Sequence, residues 1–249
     1  MSRPRIFLGF DSDQFRACNV ARQSIIRTAY TYPIIQHIDM YELSARGLYR
    51  RPTWRRLDDS PGFWDDISDA PMSTGHAIAR FLTPLLCEFR GFALFCDGDV
   101  LFRRDVGDLF ALADESKAVQ VVQHHFEPTE SVKMTGQEQT RYQRKNWSSV
   151  MLFNCGHPAN AALTTELVNT VPGRDLHRFC WLDDHQIGAL PPEWNFLVGH
   201  SDADINPAIV HFTDGVPDMR GYADVDYADE WFATAKDAGM KIDRPRVVA

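Results

Sequence analysis

Two carboxylates one residue apart, Asp97 and Asp99, flank a glycine in the run Phe92-Ala-Leu-Phe-Cys-Asp-Gly-Asp-Val-Leu-Phe102. Side chains of this type and spacing can share one hard divalent cation, and such ions favour a few carboxylates together with phosphate oxygens and water. Gly98 between them lets the backbone turn without a side chain intruding. The unbroken apolar residues that precede the pair read as a strand buried on both faces, as in the middle of a parallel sheet. Ligands of open α/β sheets bind beyond the carboxyl ends of such strands. An Asp-Gly turn joining two strands of a hairpin would produce the same run of residues without any ligand.

The elements that would position these acids follow from periodicity. Arg5-Ile-Phe-Leu-Gly-Phe10 reads as a first buried strand ending in Asp11-Ser-Asp13. Ala17, Val20, Ala21, Ser24, Ile25 and Thr28 fall on one face of an amphipathic helix, and residues 34–40 read as a second strand. Strand, helix, strand implies a parallel βαβ opening. Asp11 and Asp13 then sit at the carboxyl edge of the sheet, where a ligand's base and ribose could be read, unless they serve as helix caps. Residues 44–73 show no period and read as an irregular insertion whose Trp54, Phe63 and Trp64 either stack on sugar faces or staple the loop to the body. Ile78, Phe81, Leu82, Leu85, Leu86 and Phe89 predict a helix with Arg80 on its flank, free to snorkel or to reach an anion.

Further along, residues 105–113 predict a short helix and 118–122 a strand. His124-His125 follow, a pair better read as a turn or hydrogen-bonded pair than as a metal site. A polar loop is expected over 127–144, a strand over 150–153, a helix over 162–171 and a short capped helix over 181–190. Two late strands, 194–198 and 208–212, precede a terminal helix over 227–238 and a basic tail. No repeat or linker interrupts the pattern, so one domain is expected over 1–249, with the insertion at 44–73 and the terminal helix and tail from about 227.

Composition sets outer bounds. At 249 residues, 44% apolar and 24% charged, the chain can bury a real core. A net charge of −8, from 26 basic and 34 acidic residues, argues against nucleic acid as the main partner. It does not argue against a phosphorylated substrate, because a metal can supply positive charge locally. No apolar run has the length of a membrane span, and Met1-Ser-Arg-Pro-Arg leads into a strand-like segment unlike a signal peptide. The five cysteines are odd in number and lack a C-x-x-C pair, which fits a reducing, cytoplasmic setting and no cysteine-built zinc site. The basic tail would permit peripheral contact with the inner face of a membrane.

Taken in order, the motifs resemble glycosyltransferase family 8, which contains glycogenin and bacterial lipopolysaccharide galactosyl- and glucosyltransferases. The resemblance rests on Ala79-Arg-Phe-Leu-Thr-Pro, Leu94-Phe-Cys-Asp-Gly-Asp-Val-Leu-Phe, Asp108-Leu-Phe110, Trp147-Ser-Ser-Val-Met-Leu-Phe-Asn154, Asp184-His-Gln-Ile187 and Val210-His-Phe212. It covers about residues 5–220. It implies a GT-A fold, α/β and Rossmann-like, with a mostly parallel central sheet flanked by helices. It also implies transfer of a hexose from a nucleotide sugar, a UDP-sugar by expectation, to a glycan or lipid-linked acceptor with retention of configuration. Carried over by position, Asp97, Asp99 and His211 would hold Mn²⁺, or Mg²⁺, and an imidazole favours Mn²⁺. Arg80, Asp97 and Gly98 would contact the donor, and Asp11 and Asp13 its nucleoside. Asp184, with His185 beside it, falls near the donor sugar and acceptor. The chain departs from the pattern at Trp147, Ser149 and His185. It also lacks the lysine that follows the histidine strand in the family, for which Arg220 is the candidate replacement.

Two other readings compete. A nucleotidyltransferase would place carboxylates around Mg²⁺ on a related sheet, but Gly9-Phe-Asp-Ser-Asp13 lacks the basic, glycine-rich loop expected there. A non-catalytic nucleotide-sugar-binding protein on the same fold is motivated by the missing lysine.

Overall fold

In the computed structural model, which describes residues 3–56, 62–124 and 144–245, the chain opens as its periodicities predict. β1 (Arg5–Phe10), α1 (Phe15–Thr28) and β2 (Ile34–Asp39) form the βαβ unit, with β1 and β2 parallel. α2 (Met40–Ala45) follows at once, its first amides capped by the Asp39 carboxylate, which accepts from Tyr41 and Glu42.

The stretch expected to be irregular carries an antiparallel sheet of its own: β3 (Thr53–Arg55), β4 (Phe63–Asp65) and β5 (Ala70–Met72). Strands of three residues are too short for alternation to show in sequence. The anchor is Arg51, fully buried, which pairs with the equally buried Asp65 and donates to the carbonyls of Val168 and Val171 at 2.8 Å. Trp54 stacks on Trp64 at 6.1 Å within the insertion itself, and Phe63, buried in the same apolar cluster as Phe7 and Phe81, is the aromatic that staples it to the body.

The helix expected over 78–89 is broken. A 3₁₀ turn (Ala79–Leu82) leads into α3 (Thr83–Leu86), a single turn with Pro84 near its start, and Glu88 and Phe89 take positive φ of 54° and 53°. Proline lacks an amide proton and crowds the preceding turn, so one continuous helix cannot form. β6 (Phe92–Cys96), β7 (Val100–Phe102), α4 (Val106–Phe110), β8 (Val119–Val121) and β9 (Val150–Asn154) come next. His125 and the expected loop up to residue 143 lie outside the described residues. α5 (Thr165–Thr170) is followed by α6 (Gly173–His177), so Pro172-Gly173 both ends one helix, as expected, and opens another that periodicity does not reveal. The helix expected over 181–190 is one 3₁₀ turn (Asp184–Gln186) running into β10 (Ile187–Ala189). The Gln186 side chain accepts from the Asp183 amide at 2.9 Å and closes that turn, after which the chain extends. β11 (Phe196–Leu197), β12 (Ile209–His211) and α7 (Ala228–Asp237) complete the order.

The main sheet runs β10-β8-β9-β6-β1-β2, with β9 alone antiparallel to its neighbours. Its central strands are buried on both faces. Phe7 and Phe95 join one apolar cluster with Phe81 and Leu82, while Ile6, Leu8, Leu94 and Cys96 join another with Ala21 and Ile25 of α1. Burial of each large side chain there contributes about 1.5–3 kcal/mol, which is why β1 and β6 read as unbroken apolar runs. A second sheet, β11-β12-β7, packs with α1 and α7 through Leu101, Val210, Val20 and Trp231.

All five cysteines are free, four of them buried. No helix among the described residues is long and apolar enough to cross a membrane. The tail's Arg244 donates to Asp229 at 2.8 Å, lies 3.5 Å from Asp224 and covers the Phe232 ring at 5.2 Å. Its charge is met within the protein, so the expectation of a membrane-facing tail finds no support; residues 246–249 lie outside the described residues.

Candidate metal centre

Asp97, Gly98 and Asp99 join β6 to β7, and these strands belong to different sheets, so the motif is not a hairpin turn. β6 ends in the main sheet while β7 pairs antiparallel with β12, setting Val100 opposite His211. The Phe212 amide donates to the Asp99 carbonyl at 3.0 Å and holds that register at the turn. The imidazole is thereby delivered to the second carboxylate, with His211 Nε2 3.3 Å from Asp99 Oδ1. One ligand atom from each of Asp97, Asp99 and His211 lies within 4.8 Å of the others.

Space at the turn is fixed by glycine. A Cβ on Gly98 would lie 2.6 Å from the Gly9 carbonyl oxygen, and one on Gly9 would lie 2.4 Å from the His76 ring. The end of β1, the acidic turn and His76 therefore stack without room for a methyl group.

Two of the three ligands, Asp97 and His211, are held from behind. Asp97 Oδ1 accepts from Arg80 Nη2 at 2.8 Å and from His76 Nε2 at 3.1 Å. Arg80 also donates to the Ser148 carbonyl at 2.8 Å and lies over Phe95 at 4.8 Å. Burial alone would raise the Asp97 carboxyl, but Arg80 and then His76 outweigh it and hold the group well below the usual carboxylate range. For His211 burial works downward, yet Asp99 and Asp97 prevail and the imidazole is raised. Its Nδ1 lies 3.0 Å from Asn195 Oδ1.

The donor set fits a divalent cation. Two carboxylates and an imidazole suit Mn²⁺ or Mg²⁺. Asp99 Oδ1 is buried with no aligned hydrogen-bond donor among the described residues, as an oxygen reserved for a metal would be.

The other expected residues separate into two groups. Asp11 and Asp13 stand at the carboxyl end of β1 as expected. Asp11 is a clamp, accepting from the amides of Asp13 at 3.1 Å and Gly75 at 3.0 Å, and Asp13 pairs with Arg55 of β3. Arg80 is turned onto Asp97 and not left free. Asp184 and His185 sit on the exposed 3₁₀ turn: the Asp184 side chain is 90% exposed and paired with Arg144, and the His185 carbonyl accepts from Lys117 at 2.8 Å. Arg144 covers Trp147 at 5.6 Å, which links that turn to the segment holding Arg80. Arg220 is exposed and pairs with no described residue.

Sequence reasoning missed His76, His177 and Asn195. His177 Nδ1 lies 2.7 Å from Ser148 Oγ, and burial followed by Arg80 pushes it down to about 3. His124 Nε2 is buried without a partner among the described residues, and burial and then His211 push that imidazole down to about 4. His76, His177 and Asn195 stand in no spacing that marks them; each acquires its role from a strand or turn distant in sequence.

No protein-family model matches the sequence. Over 232 residues the chain is 40% identical to "Protein CDI" of Arabidopsis thaliana, covering 91% of this chain and 84% of that protein. Among solved structures it resembles the bifunctional glycosyltransferase WbbM (TM-score 0.59, 15% identity, 94% of this chain and 50% of that one). The glycosyltransferase GlyE of Streptococcus pneumoniae TIGR4 is similar at TM-score 0.59 and 14% identity, over 94% of this chain and 60% of that one. The chain thus spans only half to three fifths of those two proteins. The galactosyltransferase LgtC, solved with donor and acceptor sugar analogues, matches at TM-score 0.57 and 12% identity over 96% of this chain and 98% of its own. The fold these share is GT-A, a mixed α/β architecture with a mostly parallel central sheet, as the motif resemblance implied. With two fifths of its residues shared over nine tenths of its length, the chain belongs to the family of the Arabidopsis Protein CDI and is built on the GT-A fold.

Proposed function

We propose that the chain is a metal-dependent, retaining glycosyltransferase that moves a hexose from a nucleotide sugar, by preference a UDP-sugar, to a hydroxyl of a glycan or lipid-linked acceptor. The observation that carries this reading is the convergence of Asp97, Asp99 and His211 at the carboxyl edge of a GT-A sheet. Mn²⁺, or Mg²⁺, held by these three would act as a Lewis acid toward the departing diphosphate.

The chain's own residues supply the rest. Arg80 and His76 keep Asp97 ionised, so its charge is present when donor arrives. In the transfer the anomeric C–O bond breaks with its electron pair going to the diphosphate, the acceptor oxygen bonds the same carbon, and the acceptor's proton passes to the departing diphosphate oxygen. Asp184, with His185, is assigned to the sugar and acceptor side, where a carboxylate stabilises an oxocarbenium-like carbon electrostatically. Asp11 and Asp13 are assigned to the nucleoside end and Gly98 to the close approach of donor to backbone.

Incubation with UDP-glucose or UDP-galactose and Mn²⁺ tests the reading. UDP release that needs the metal and disappears in Asp99→Ala, with the variant's melting temperature kept, is the expected result. Full turnover by that variant removes the metal assignment. Pyrophosphate release from a nucleoside triphosphate would make the chain a nucleotidyltransferase, and donor binding without turnover would make it a binding protein.

A further inference from the structure

His211 is useful as a ligand only when its Nε2, the nitrogen facing Asp99, carries a lone pair, and the structure fixes this through a chain of groups that ends at a carbonyl. Ser149 Oγ lies 2.7 Å from the Asn146 carbonyl oxygen, which can only accept, so the single hydroxyl proton is directed there. The Ser149 oxygen must then accept from its other neighbour, Asn195 Nδ2, at 2.9 Å. That orients the buried Asn195 amide with its NH₂ toward Ser149 and its oxygen toward His211 Nδ1, at 3.0 Å. An amide oxygen cannot donate, so this contact forms only when Nδ1 carries the proton; the Asp99 carboxylate, 3.3 Å from Nε2, competes for that proton, and the Asn195 oxygen is the group that draws it to Nδ1 and leaves the Nε2 lone pair to a metal.

We infer that Ser149 and Asn195 are positioning residues that hold His211 in its metal-binding tautomer. Ser149 stands where the resembling family has glycine, so this relay is written into the chain's own departure from the pattern. Its backbone carbonyl also accepts from the Asp97 amide at 2.9 Å, so one residue braces two of the three ligands. Groups that hydrogen-bond a ligating imidazole from behind orient the ring and set its basicity, and their loss lowers metal affinity about ten- to a hundredfold. The inference rests on the proposed metal site at Asp97, Asp99 and His211.

The test combines nitrogen NMR of the metal-free protein with Mn²⁺ titration by calorimetry. At alkaline pH the wild-type His211 ring should carry a larger share of its proton on Nδ1 than the Asn195→Leu ring does. Asn195→Leu should shift the ring toward the other tautomer and lower Mn²⁺ affinity about ten- to a hundredfold. Asn195→Asp, which keeps an acceptor on Nδ1, should restore most of both. Ser149→Ala should lie between wild type and Asn195→Leu, and it stands in for the leucine variant if that one fails to fold. Unchanged tautomer and unchanged affinity in Ser149→Ala and Asn195→Leu overturn the relay. Wild-type protein with a protonated Nδ1 but no Mn²⁺ binding overturns the metal reading instead, and with it the relay's purpose.

Discussion

Asp97 and Asp99 are one residue apart, but their surroundings make them unequal. Asp97 answers a buried guanidinium and an imidazole, whereas the Asp99 side chain is 19% exposed and faces only His211. Asp97→Ala should therefore abolish metal binding and also cost about 3–5 kcal/mol, because it leaves Arg80 buried and uncompensated. Asp99→Ala should abolish metal binding with a stability change within about 1 kcal/mol; urea unfolding of the two variants side by side measures the difference. Gly98→Ala should lower both Mn²⁺ affinity and stability, since its Cβ would meet backbone and not a side-chain end that can move away; calorimetry and a thermal melt check it. The acid pair was legible because two carboxylates around a glycine, at the end of an apolar run, leave only a cation site or a hairpin turn to choose between. His211 entered through resemblance alone. His76 and Asn195 were not legible, since a lone polar residue carries no spacing and gains its meaning only when β1 and β12 arrive beside it.

At the scale of elements, the site depends on strands that change sheet. β7 leaves the main sheet to pair with β12, and the small β3–β5 sheet braces the β1 edge through Arg55 and Asp13. That small sheet is fastened by Arg51 and Asp65. Arg51→Met should destabilise the protein by about 3–5 kcal/mol at neutral pH, by leaving Asp65 buried and unpaired. Burial raises the Asp65 carboxyl, but Arg51 and then Ser68 outweigh it and hold it below its ordinary range. A carboxylate depressed on folding adds stability that is complete above its unfolded value of about 3.9 and is lost as pH falls through the lower folded value. The urea midpoints of wild type and Arg51→Met should thus differ most near pH 7 and converge toward pH 3. Long elements such as β1, α1, β6 and β9 were readable because each spans enough residues to show a period. The three-residue strands, the Pro84 break and the turn before β10 were not, because their form is set by a cap, a proline or a distant ion pair.

At the scale of the whole molecule, a sheet whose central strands are buried on both faces carries a polar cluster at its carboxyl edge, and burial holds two histidines beside it, His124 and His177, below their ordinary range. His177 is pushed down to about 3 by burial and by Arg80, while in the unfolded chain it takes a proton below about 6.5. A histidine depressed on folding withdraws stability as pH drops from the unfolded value toward the folded one. Urea midpoints should therefore fall between pH 6.5 and pH 4, and His177→Gln should make that fall shallower; an equal slope in the variant would show that His177 plays no part in it. The claim on which function turns is that three side chains from two sheets meet to hold one ion. Anomalous scattering from a crystal soaked in Mn²⁺ measures this directly. A single strong peak bonded to Asp97, Asp99 and His211, absent from Asp99→Ala crystals, is the predicted result. A peak elsewhere, or none at saturating Mn²⁺, would contradict it.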